Sequence, residues 1–85
     1  MVIIDRYKIF WRKVDRQIFV TRIDTGIAYV LEGSAGFIWD LVVSNRDFQE
    51  IAAMVAETYG IEVQLAAEDV KTFLIDLRTE GLIEA

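Results

Sequence analysis

Apolar positions recur every second residue in the first third of the chain and every third or fourth residue after it. Between Tyr7 and Val14, Lys8, Phe10, Arg12 and Val14 share one face, and Tyr7, Ile9 and Trp11 line the other. Between Ile18 and Ile23, Ile18 and Val20 stand opposite Phe19, Thr21 and Ile23. Period-two segments rich in β-branched and aromatic residues predict strands. Asp15-Arg16 is the expected turn between these two. Asp24-Thr25-Gly26 is the next, with Gly26 where a positive φ is needed. A third strand, Ile27 to Leu31, completes an antiparallel meander and lies at its edge. The stretch from Asp24 to Trp39 thus holds a turn, an edge strand, a small-residue break and the start of a helix. An unpaired strand edge is either hidden or used for docking.

The period changes at Gly33. Ser34 is the expected N-cap of a first helix, because its hydroxyl can accept from a backbone N–H left free there. Phe37, Ile38, Leu41 and Val42 follow at helical spacing, and Ser44-Asn45 ends the run. Ser44 with Asp47, or Asp47 with Glu50, forms a capping box for the second helix. Its apolar stripe is Phe48, Ile51, Ala52, Val55 and Tyr59, and Gly60 is its stop. A third helix is expected from about Leu65, with Glu68 and Asp69 in the first turn, where the helix dipole favours negative charge. Val70, Phe73, Leu74 and Leu77 are its stripe, Gly81 ends it, and Leu82 and Ile83 fold back as apolar surface. The order βββααα predicts an α+β fold, helices packed on one face of a small three-stranded antiparallel sheet, like a winged helix-turn-helix.

Eighty-five residues suffice for one domain spanning 1–85 with one modest core. There is neither Cys nor His, so disulfides are excluded and a structural zinc site is not expected. The net charge of −5 argues against nucleic acid, whose phosphates need Lys and Arg. That charge is uneven: residues 1–32 carry net +2 and the remainder net −7. The N-terminus has no signal-peptide profile, and no apolar run approaches the roughly 18 residues of a membrane span. A cytoplasmic location and no membrane association are expected.

Catalytic chemistry has little to stand on. Without His, neither Ser34 nor Ser44 has the usual base, and both read as caps. Asp76 and Glu80 stand four apart on a helix, an ordinary solvated arrangement. Gly33 and Gly36 give G-x-x-G without the Gly-Lys-Ser/Thr element of a phosphate loop. Trp11 and Trp39 read as packing residues. The chain is read as a binding protein with no cofactor and not as an enzyme.

The string Leu31-Glu32-Gly33-Ser34-Ala35-Gly36-Phe37-Ile38-Trp39-Asp40-Leu41 resembles the junction of strand three and helix one in proteins like PQQ-biosynthesis protein D. Asp69-Val70, Phe73-Leu74, Leu77 and Gly81-Leu82-Ile83 resemble the last helix of the same family and its Gly-Leu-(Leu/Ile) ending. The resemblance runs over roughly residues 7 to 83 and rests mostly on core positions. One departure is Leu31-Glu32 where the family has Leu-Asn; Ser34 would take the capping role.

The resemblance implies a recognition element for ribosomally made, modified peptides. In that family the leader of a precursor peptide binds as an added strand beside strand three, in a groove closed by helix three. The partner implied is a maturation enzyme, such as a leader peptidase with a cyclase, or a radical SAM protein. A free-standing chain looks most like the PQQ-pathway chaperone or the leader-binding subunit of lasso-peptide pathways. The candidate peptide-binding residues are Ala28, Tyr29, Val30 and Leu31 on the strand, with Asp69, Val70, Phe73, Leu74, Leu77 and Arg78 on the helix. Some of the four apolar helix residues must face the core. Two other readings remain: a winged-helix DNA-binding regulator, and a plain interaction or homodimerisation domain. The first needs a basic recognition helix, and helix two offers Arg46 against Glu50 and Glu57.

Overall fold

In the computed structural model, which describes residues 4–84, the chain runs β1 (Ile9–Val14), β2 (Gln17–Arg22), β3 (Ala28–Leu31), α1 (Ser34–Val43), α2 (Phe48–Tyr59) and α3 (Val63–Thr79). The sheet is antiparallel throughout, in the order β1-β2-β3. Val14 pairs with Gln17, so Asp15-Arg16 is a two-residue turn, with Asp15 at φ 57°. Gly26 has φ 73° in the turn before β3. The α+β fold expected from the change of period is the one observed.

Element starts differ in informative ways. β1 begins at Ile9 and not near Tyr7, because the N–H groups of Lys8 and Ile9 both donate to the Asp5 carbonyl and hold Tyr7 in a turn. Ser34 is not the cap of α1. The chain leaves β3 through Gly33 at φ 58°, a conformation cheap only without a Cβ, and Ser34 is already helical. α3 starts two residues before Leu65, at Val63, so Glu68 and Asp69 fall beyond its first turn and gain little from the helix dipole. Of the two possible capping boxes before α2, Asp47 with Glu50 is formed: the Glu50 N–H donates to Asp47 Oδ1 at 2.8 Å and the Asp47 N–H to Glu50 Oε1 at 3.3 Å. Asp47→Ala is expected to cost about 1 kcal/mol, read as a lower urea midpoint with unchanged slope.

The helices cover one face of the sheet. Ile9, Ile18, Val20 and Leu31 from that face meet Trp39, Ile51, Val55, Val70, Leu74 and Leu77 in one core. Trp39 is fully buried and meets Trp11 edge-on, ring centroids 6.2 Å apart. Leu82 and Ile83 fold back into the core as expected, at 1% and 3% exposure. Gly81, at φ 75°, makes that reversal. A Cβ there would come within 2.7 Å of the Arg22 guanidinium. Among the described residues no helix is long and apolar enough to cross a membrane.

Candidate functional site

β3 ends the sheet on one side, and its hydrogen-bonding parity follows from the register. The Arg22 N–H donates to the Ile27 carbonyl, which makes Arg22–Ile27 a bonded pair. Continuing along the Val20–Tyr29 and Ile18–Leu31 pairs, Tyr29 and Leu31 spend their main-chain groups on β2. Ala28 and Val30 therefore turn their N–H and C=O outward, to the open edge. Both are exposed.

Side chains alternate the other way. Tyr29 and Leu31 point to the helical layer, Leu31 into the core. The Tyr29 hydroxyl donates to Glu80 Oε2 at 2.9 Å. Bonding to that carboxylate raises the phenol above its ordinary pKa and keeps it a donor. Arg22 reinforces the link. Its Nη1 donates to the Glu80 carbonyl at 3.1 Å, and its Nη2 and Nε donate to Asp24 at 2.7 and 3.1 Å. That bond holds the Asp24 carboxyl below its usual range. The C-terminal end of α3 is thereby tied to β2 and β3.

Beyond this tie an apolar cavity of about 350 Å³ opens between the helices. Helix α1 contributes Ser34, Ala35 and Ile38, α2 contributes Val55 and Tyr59, and α3 contributes Asp69 and Phe73, with Ile61 between α2 and α3. Ser34 follows Leu31 by three residues, so the cavity lies at the end of the β3 edge. Tyr59 is 45% exposed, and its ring stands edge-on to Phe37 at 5.9 Å. It does not complete the buried stripe of α2.

The cavity and the Glu80 contact fix which side of α3 faces the cavity and Tyr29. Asp69, Phe73 and Glu80 are separated by four and seven residues and share one face, which also includes exposed Asp76. The anticipated set divides accordingly. Asp69 and Phe73 line the cavity. Val70, Leu74 and Leu77 are consumed by the core, at 0%, 7% and 3% exposure, and cannot wall it. Arg78 follows Asp69 by nine residues, about half a turn round the helix, and lies on the far side with Lys71. The cavity side of α3 is therefore acidic and the far side basic. Ser34, Ala35, Ile38, Val55, Tyr59, Ile61 and Glu80 were not anticipated. Tyr59 had a signal: it extends the α2 stripe to a residue beside the Gly60 stop, where little core remains to cover it.

The described residues hold no cluster of three or more acidic or metal-ligating side chains suited to a metal ion. Two solved structures share the whole fold. TbiB1 in complex with the TbiA(beta) leader peptide superposes with TM-score 0.92 over 98% of this chain and 95% of its own, at 20% identity. Lasso peptide synthetase B1 complexed with the leader peptide superposes with TM-score 0.90 over 99% and 98%, at 15% identity. A sequence search of curated proteins gives no match. The profile of coenzyme PQQ synthesis protein D matches residues 17–83, and the chain belongs to the PqqD family.

Proposed function

We propose that this chain binds the leader segment of a ribosomally made precursor peptide as a fourth strand along β3 and presents it to a maturation enzyme. The observation that carries this reading is the pair of outward main-chain stations at Ala28 and Val30, set beside an apolar cavity. Strand addition takes its affinity from main-chain hydrogen bonds and its selectivity from pockets for alternate side chains. The leader complexes of the two similarly folded proteins support the same reading. The chain acts as a binding subunit in the cytoplasm, where the precursor is made, and the catalytic step belongs to its partner.

The groove also defines the chemistry of the leader. An apolar or aromatic side chain fills the cavity against Phe73 and Tyr59. The row Asp69, Asp76 and Glu80 favours Lys or Arg on the leader positions that face α3, with an attraction that weakens as salt rises. Titration of the chain with the labelled leader of the precursor encoded beside it tests the reading. Binding on the order of micromolar or tighter is expected, and its absence for every short precursor encoded nearby overturns the proposal. Phe73→Ala is expected to weaken that binding roughly tenfold, since half-buried aromatic anchors carry a large share of such affinities. An unchanged Kd for Phe73→Ala would remove the cavity from the site.

A further inference from the structure

Tyr29 holds a different place in the β3 edge from its two neighbours. Ala28 and Val30 offer main-chain groups to the open side, whereas Tyr29 spends its own on β2, opposite Val20. What Tyr29 can offer a visitor is its side chain. The residue is half-buried and packs against the core on the helical side, and the bond from its hydroxyl to Glu80 fixes the far end of the ring. Glu80 is itself held in place. Its carbonyl accepts from Arg22, whose guanidinium lies close over Gly81. Arg22 is paired with Asp24, so those two charges offset each other locally. The Glu80 carboxylate is different. Glu80 is exposed, its Oε2 accepts from Tyr29, and among the described residues it forms no ion pair. Its other oxygen is open to a second donor.

A strand laid along β3 places one residue directly across from Tyr29. Side chains of a strand alternate between faces, so that residue and Tyr29 point to the same helical side, with Cβ atoms about 5 Å apart. The residues before and after it point to the outer face and reach neither Tyr29 nor Glu80. We propose that Tyr29 and Glu80 select Lys or Arg at this one position of the leader. The inference rests on the leader reading and assigns a single register position within it. The aliphatic stem of Lys or Arg lies along the phenol ring, whose face attracts the cation, and the head reaches the open oxygen of Glu80. An acidic residue is repelled there, and a short apolar one makes neither contact. The side chain two residues along lies across from Leu31, toward the cavity end of the edge. The cation and the first residue at the cavity end thus stand two positions apart, on one face of the leader strand.

The test is a charge swap between the chain and the leader of the precursor encoded beside it, read as Kd. In Glu80→Gln the amide oxygen still accepts from the Tyr29 hydroxyl, so the tie to β3 persists and the charge alone is removed. This variant is expected to weaken leader binding about three- to fivefold at low salt and hardly at all at about 1 M salt. Glu80→Lys is expected to weaken it further. The Lys and Arg residues of the leader are then changed to Glu one at a time. One of these leader variants should bind Glu80→Lys more tightly than it binds wild type, and that residue marks the position across from Tyr29. The others should lose the same factor against both proteins. A merely structural role for Glu80 would lower the affinity for every leader variant alike and show no reversal with charge. The proposal is overturned if Glu80→Gln and Glu80→Lys bind the leader as wild type does, if no leader substitution restores binding to Glu80→Lys, or if a tightly bound leader carries no Lys or Arg. In each of these cases wild type still binds the leader, and strand addition stands. If wild type does not bind the leader, both readings fall.

Discussion

Val30→Pro is expected to abolish most leader binding while the domain stays folded. The parity of the sheet explains both halves of that result. The Val30 N–H points to the open edge and makes no bond to β2, so proline there removes nothing from the existing ladder. An incoming strand loses a donor and meets the pyrrolidine ring, and one of its carbonyls is left without a partner. A group left unpaired in this way costs about 1–3 kcal/mol, roughly a 5- to 150-fold rise in Kd. Far-ultraviolet circular dichroism and the thermal midpoint should remain close to wild type. Val30→Thr, which keeps the N–H, serves as the control and should bind nearly as wild type does. If Val30→Pro binds as tightly as wild type, the leader does not pair with this edge.

Trp39→Ala is expected to act on the fold instead. The indole is 0% exposed and stands between the sheet and the helices, edge-on to Trp11. Truncating a buried aromatic to alanine costs about 3–5 kcal/mol, because the lost burial is compounded by a cavity that neighbours fill only in part. Domains of this class have about 5–15 kcal/mol in total, and a small one lies toward the low end. Urea unfolding should move to a far lower midpoint, and the near-ultraviolet signal of the Trp pair should vanish. Trp39→Phe keeps most of the buried area and should lose much less.

The strands, helices and their order follow from the period of apolar residues, and the edge position of β3 follows from the order. What periodicity does not resolve is the rotation of a helix about its own axis relative to two neighbours at once. On α3, Val70, Phe73, Leu74 and Leu77 form one stripe by spacing, yet the core takes three and leaves Phe73 half-buried beside the cavity. That division depends on where α2 and the C-terminal Leu82 and Ile83 press against the helix. Arg78 illustrates the same point, since its charge suits a groove rim and its position puts it on the opposite side. Ser34 departs from the expected cap position for a different reason. Both Gly33 and Ser34 suit a helix start, and only the geometry of leaving β3 requires the left-handed conformation at Gly33.

The outward stations at Ala28 and Val30 have an evolutionary consequence. Main-chain groups are the same whatever residue carries them, so under the proposed strand addition mutation at these two positions would leave recognition intact as long as the residue fits a strand and is not proline. Selection on such an edge acts on shape and hardly on letters. On the proposed reading, a change in a leader would need an answering change only where side chains line the cavity or its acidic flank, at Phe73, Tyr59 and the acidic row of α3. Under that reading a lineage would exchange its peptide by altering a few helix positions and let most of the remaining sequence drift.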